Sequence, residues 1–266
     1  MIIIGEKINT SAKIAREAVE NLNADFIQEI AKKQTEAGAD FLDINCGTFI
    51  DSEVEKMKWI IETVQKVAET PLCIDSPNSE VIEEGLKVNK NGKPIINSIT
   101  AESNRWSSIL PLVIEYKTSV VALCMNDDGI PDEPAKRFSI AHSMANEMAQ
   151  KGISLSDIFF DPMVKPISTD SNSGRLTLET MRLIKKEIPD AHLICGLSNI
   201  SFGLPVRKLL NQGFLCGAIF SGLDSAIIDP MDKKIMSLVY AAEALAGKDE
   251  YCMEYISKYR EEKLEV

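Results

Sequence analysis

The chain has 266 residues, of which 45% are hydrophobic and 26% charged, with a formal net charge of −11; that composition supports a sizeable buried core and argues against disorder. The acidic balance, without any clustered run of Lys and Arg, excludes a nucleic-acid partner. The apolar start "MIIIG" is too short for a signal or membrane segment and no later run approaches 18 apolar residues, so a cytoplasmic protein is expected.

Short apolar runs recur along the chain and read as strands: "IIIG" at 2–5, "FLDI" at 41–44, "LCID" at 72–75, "IINS" at 95–98, "VVALC" at 120–124, "IFFD" at 158–161, "LICG" at 193–196 and "CGAIF" at 216–220. Between them, "ADFIQEIAKKQTEAGA", "EVEKMKWIIETVQKVAE" and "SIAHSMANEMAQKG" repeat apolar residues at helical spacing. Gly38 and Gly152 sit where helix C-caps belong. Alternation of strand and helix implies a parallel sheet, and eight units at this length predict a closed (β/α)8 barrel. An open doubly wound sheet is the alternative. No Pro/Gly/Ser-rich linker divides the chain, so residues 1–266 are read as one α/β domain. The tail "YCMEYISKYREEKLEV" is expected to form a charged terminal helix.

Six cysteines occur without a C-x-x-C pair, several inside strand-like runs. That pattern fits buried reduced thiols, and no metal site is expected from it. "GLSNI" at 196–200 mimics the serine nucleophile elbow G-x-S-x-G, but Ile200 stands where the second glycine belongs. Ser198 is therefore read as a positioning residue.

In a parallel barrel the C-terminal strand ends form the mouth where active sites lie. Polar residues stand there repeatedly: Glu6, Asp43 and Asn45, Asp75, Asn97, Asn126, Asp161, then Ser198 and Asn199. Any one of them suits a turn or a helix cap, whereas a recurring set converging on one mouth suits a ligand. Acceptors without compensating bases match a planar heterocycle bearing several N–H donors, such as a reduced pterin.

Together "IIIGEKINT", "DINCGT", "LCIDSPN", "INSITAE", "FFDPMVKPIS" and "GLSNISFG" resemble the pterin-binding methyltransferases that move a methyl group between tetrahydrofolate and a corrinoid protein. The resemblance runs in one register from residue 1 to about residue 255. It implies a (β/α)8 barrel, a homodimer, tetrahydrofolate or 5-methyltetrahydrofolate as substrate, and cobalamin or another corrinoid carried by a separate protein. It also implies that Asp75, Asn97 and Asp161 hold the pterin edge, that Asn199 hydrogen-bonds the pterin N5, and that Gly196, Ser198 and Arg207 lie near the ring. Glu6, Asp43 and Asn126 would complete the lining.

"SFGLPVR" departs from the acetogenic members, placing Phe202 where those carry a polar residue, and reads more like the folate module of cobalamin-dependent methionine synthase and the stand-alone methyltransferases of methyl-donor catabolism. No D-x-H-x-x-G corrinoid signature is present, and His142 and His192 have ordinary structural readings. Dihydropteroate synthase is the nearest rival, but its late basic S-x-R and R-x-H motifs are missing. A non-catalytic folate-binding subunit and a barrel hydrolase built on paired aspartates are the other readings weighed.

Overall fold

The structure, a computed structural model, describes residues 1–265; Val266, the last residue of the tail, lies outside them. The strands are β1 (Ile2–Asn9), β2 (Phe41–Asn45), β3 (Leu72–Asp75), β4 (Ile95–Ala101), β5 (Ser119–Asn126), β6 (Ile158–Asp161), β7 (His192–Leu193) and β8 (Ser225–Ile228). The helices are α1 (Lys13–Glu20), α2 (Ala24–Glu36), α3 (Glu53–Val64), α4 (Ser79–Val88), α5 (Ser103–Tyr116), α6 (Pro134–Gln150), α7 (Ser173–Glu187), α8 (Arg207–Phe220), α9 (Lys233–Leu245) and α10 (Met253–Arg260). The eight strands follow one another in the order β7-β6-β5-β4-β3-β2-β1-β8, and every pairing is parallel. The barrel closes between β7 and β8, where Gly196 bridges Ile227 and the Ile227 amide donates to the Cys195 carbonyl at 3.3 Å.

Local sequence explains where the helices begin and stop. The Asn23 side chain accepts from the Phe26 amide at the start of α2, and Asp232 does the same for Ile235 at the start of α9. Gly38 and Gly152 follow α2 and α6 at φ of 98° and 83°, the left-handed conformation that ends a helix.

The pleat sorts side chains into two apolar layers. Ile4, Cys73, Ile95, Val121, Phe159 and Ile194 point inward and form a closed cluster inside the barrel, with Ile2, Phe41, Leu123 and Ile227 packed against it. Their alternates, such as Ile3, Leu42, Ile44, Leu72, Ile74, Val120 and Ala122, face the helices. Full burial of each large aliphatic side chain contributes roughly 1.5–3 kcal/mol.

Two departures from the expected strands have plain causes. "CGAIF" is the last part of α8, whose buried face is Phe214, Leu215, Ala218 and Ile219; a five-residue apolar run at a helix end imitates a strand. The eighth strand is "SAII", and Asp229 follows it. "LICG" pairs regularly only at its start, yet Ile194 continues the ladder by donating to the Phe160 carbonyl at 3.0 Å, and Gly196 reaches β8.

The β1 register shifts against β2 between Gly5 and Ile8. This bulge takes the Lys7 amide out of the ladder, and the fully buried Gln34 of α2 receives it on Oε1 at 2.9 Å. Gly5 leaves the room: a Cβ there would stand 2.6 Å from Gln34 Oε1. Gly5→Ala is therefore expected to destabilise the protein by about 1–3 kcal/mol through overpacking, measured by urea unfolding; a neutral result would show that Gln34 moves freely.

Candidate active site

The inward-facing apolar cluster predicts the site by simple addition. Two residues beyond Ile4, Phe41, Cys73, Ile95, Phe159, Ile194 and Ile227 stand Glu6, Asp43, Asp75, Asn97, Asp161, Gly196 and Asp229, so the same pleat that buries the apolar layer aims these groups into the mouth. Glu6, Asp43, Asp75, Asn97, Asp161 and Gly196 are thus brought together as expected from the sequence.

Asp43 lies deepest, at 2% exposure. The Cys73 thiol and the Asn97 amide donate toward its carboxyl, but Oδ1 has no partner among the described residues. Burial, and next the charge of Asp75, push its pKa well above the ordinary range. Asp75 on the neighbouring strand accepts from Asn45 Nδ2 at 2.8 Å. Its pKa is raised by burial, while the Asn45 hydrogen bond and the Arg105 charge hold the rise back.

Across the barrel, Asp161 accepts the Met163 amide on Oδ1 at 2.7 Å. Burial brings its pKa up to about 6, against the Met163 bond and the Arg137 charge. Glu6 rises further, to about 7, because it is buried and faces Asp229, with Lys7 and Arg207 opposing.

The turn after β7 is held by its own backbone. The Asn199 amide donates to the Gly196 carbonyl at 3.2 Å, and the Phe202 amide to the Asn199 carbonyl at 3.2 Å. Asn199 is exposed. Its side-chain nitrogen would stand 3.3 Å from a Cβ on Gly196, so glycine lets the amide lie over the strand end. Arg207 donates to the Ser198 carbonyl at 2.7 Å and to Ser201 Oγ at 3.1 Å, and Ser198 Oγ accepts from Asn211 at 3.4 Å. Ser198 has no base beside it, and Arg207 serves to fix the turn.

Asn126 is not brought into the ring. The register of β5 against β4 shifts just before it, between the Leu123–Thr100 and Asn126–Ala101 pairs, so Asn126 leaves the alternation that orders the inner layer. Its Oδ1 accepts the Asp128 amide at 3.1 Å, and it lines a groove of about 400 Å³ between α5 and α6 with Trp106 and Ile140.

Sequence reading missed the charges that offset the carboxylates. Arg105 of α5 donates to the carbonyls of Ser76 and Ser98 at 2.8 and 2.6 Å, and the buried Arg137 of α6 donates to those of Pro162 and Met163, both at 2.8 Å. Both sit on helices, where an arginine gives no local signal. Asp229 was missed because the eighth strand was misplaced; "AIID" carried the signal. Among the described residues no cluster of His, Cys, Asp and Glu could hold a metal ion, and no helix is long and apolar enough to cross a membrane.

A closed parallel barrel with a ring of carboxylates and amides at its mouth defines a binder of polar heterocycles, and the chain belongs to the pterin binding enzyme family, whose pattern matches residues 5–229. More particularly, it is 37% identical over 99% of its length to 98% of a methylcorrinoid:tetrahydrofolate methyltransferase from Eubacterium limosum. It is also 33% identical to methionine synthase of Mycobacterium tuberculosis, matching over 86% of this chain but only 20% of that protein. Dihydropteroate synthase of Xanthomonas albilineans shares the fold at a TM-score of 0.69 and 18% identity, covering 94% of this chain and 93% of that one.

The raised carboxyl pKa values carry a stability consequence. A carboxyl whose folded pKa is raised favours folding fully below its unfolded pKa, and that contribution is lost as pH rises through the folded value. For Glu6 the window runs from 4.5 to about 7. Carboxylates held low, such as Glu84 at about 2, are fully ionised there and add no slope. Stability should fall by about 1 kcal/mol between pH 6 and 7.5 through Glu6, and Glu6→Gln should flatten the decline in denaturant unfolding at the two pH values.

Proposed function

We propose that the protein transfers a methyl group between N5 of tetrahydrofolate and the cobalt of a corrinoid held on a separate protein. The observation that carries this reading is the inward ring of Asp43, Asp75, Asn97 and Asp161. Its orphaned, buried acceptor Asp43 Oδ1 and paired carboxylates fit the N–H edge of a reduced pterin. The 37% identity to the methylcorrinoid:tetrahydrofolate methyltransferase along the whole chain supports the same reaction.

In this reading Asp75 and Asp161 grip the pterin edge through charge-assisted hydrogen bonds, with Asn97 beside them. Asp43 supports the floor from below. Gly196 gives the ring close approach, and Ser198 and Arg207 hold the turn that presents Asn199. The exposed Asn199 amide donates to N5, where charge develops as the carbon–nitrogen bond breaks or forms. The corrinoid supplies the cobalt that gives or takes the methyl group. This chain orients the folate so that the methyl faces out of the mouth, where proximity supplies much of the rate. A homodimer and a cytoplasmic location are part of the same proposal, on the resemblance, and sedimentation of the purified chain tests the first.

The deciding assay is anaerobic: methylcobalamin and tetrahydrofolate are mixed with the protein and the methyl-Co(III) spectrum is followed. Folate-dependent conversion to Co(I) is expected; its absence with both free methylcobalamin and a methylated corrinoid protein overturns the reading. Asn199→Ala should slow transfer by about 100-fold while folate affinity changes little, the pattern of a contact made in the transition state. Equal losses in rate and affinity would assign Asn199 to binding instead.

Asp75→Ala and Asp161→Ala should each weaken folate binding by about 100-fold, the loss of charge-assisted hydrogen bonds worth roughly 3 kcal/mol, read by calorimetry. Unchanged affinity would contradict the pterin-edge assignment.

A further inference from the structure

Asp229 entered the site only with the structure, and its position gives Glu6 a task beyond lining the pocket. Strands β1 and β8 pair up to Gly5 and Ile228, so Glu6 and Asp229 follow side by side just beyond the ladder, two residues after the inward-facing Ile4 and Ile227. Both oxygens of Asp229 are taken: Oδ2 lies 3.2 Å from Lys7 Nζ, and Oδ1 accepts the Met231 amide at 3.0 Å. The carboxyl group is thereby held in place beside Glu6.

The neighbours round the mouth matter equally. Gly196 bridges Ile227, so the turn that carries Asn199 adjoins β8 on one side while Glu6 adjoins it on the other. Asp75 and Asn97, on β3 and β4, lie farther round the barrel. A pterin that places its N–H edge toward Asp75 and its N5 toward Asn199 therefore turns N5 to the sector of β8 and β1.

We propose that Glu6 is the proton donor and acceptor for the folate N5, and that Asp229 is the positioning residue that keeps the proton on Glu6; this rests on the methyl-transfer reading above. When the methyl group leaves, the carbon–nitrogen bond breaks and its electron pair stays on N5. The new carbon–cobalt bond takes both electrons from Co(I), which becomes Co(III). The Glu6 proton ends on N5, leaving tetrahydrofolate and a Glu6 carboxylate. In the opposite direction the same carboxylate receives the N5 proton as the methyl group arrives.

The charged groups facing Glu6 come from each element around it: Asp229 from β8, Lys7 from its own strand, Arg207 from α8 and Asp43 from β2. Burial and Asp229 outweigh Lys7 and Arg207, so Glu6 titrates near neutrality, where a general acid–base group works best. Of the other mouth carboxyls, Asp75 is committed to Asn45 and Asp161 to Met163, while Asp43 lies deepest, on the floor at 2% exposure.

The test is single-turnover methyl transfer from 5-methyltetrahydrofolate to Co(I) cobalamin, measured from about pH 5.5 to 8.5, with folate affinity determined in parallel. The wild-type rate should fall above about pH 7. Glu6→Gln should be about 100-fold slower and lack that decline, while binding folate within about threefold of the wild type. Asp229→Asn should move the decline about one unit lower in pH. An unchanged pH profile in both variants assigns the titration to the folate itself and overturns the proposal. Should Glu6→Gln fail to fold, the Asp229→Asn profile decides alone. Absence of wild-type transfer at every pH, to free Co(I) cobalamin and to a Co(I) corrinoid protein alike, defeats the methyl-transfer reading, and the proposal with it; wild-type transfer with unmoved variant profiles defeats the proposal only.

Discussion

Closing eight parallel strands into a barrel forces their C-terminal ends toward one axis, and five of those ends carry carboxyl groups: Glu6, Asp43, Asp75, Asp161 and Asp229. Like charges brought out of water repel and lose hydration together. Everything else at the mouth answers that constraint. Burial raises the pKa of several of these carboxyls, that of Asp43 well above its ordinary range. Others are offset by cations and hydrogen-bond donors supplied from outside the sheet, Arg105 near Asp75 and Arg137 near Asp161.

Those cations are themselves anchored on backbone. Arg105 ties the carbonyls of Ser76 and Ser98, the segments after β3 and within β4, and Arg137 ties Pro162 and Met163 after β6. The same guanidinium groups thus shape the loops and moderate the field. Loop geometry and carboxyl ionisation are consequently coupled, and a change in one arginine would disturb both.

The sequence made most of this architecture legible because the barrel obeys local rules. Five strand runs with polar ends identified Glu6, Asp43, Asp75, Asn97 and Asp161, since the pleat repeats every two residues irrespective of distant contacts. Where the reading failed, a tertiary fact decided. "CGAIF" and "AIID" are equally apolar over a few residues, and only the packing of Phe214, Leu215 and Ile219 on the barrel assigns the first to α8. Asn126 ends its strand like the others, but a register shift between Leu123 and Asn126 breaks the alternation, and Asn126 lines the groove beside α6. Arg105 and Arg137 lie distant in sequence from their partners, so no spacing could announce them. Most site residues come from strand ends, with Asn199 and Asp229 just beyond them, while their electrostatic partners come largely from helices.

This division separates the tasks of chemically similar groups. Asp75 and Asp161 have pKa values raised by burial but accept hydrogen bonds already, so a ligand offering further N–H donors favours their ionised forms and expels their protons. Glu6 is buried beside Asp229 with no such donor at its side, and its pKa stands higher, at about 7. One ring of acids can therefore hold a heterocycle with one part and exchange a proton with another, because environment alone sets which carboxyl is charged. The bulge at Gly5, with Gln34 taking up the freed Lys7 amide, places Glu6 and Lys7 together at that boundary. The ion pair from Lys7 to Asp229 then joins the first strand to the last just beyond the ladder they share. The junction of the first strand with the last and the environment of Glu6 are thus set by the same few residues.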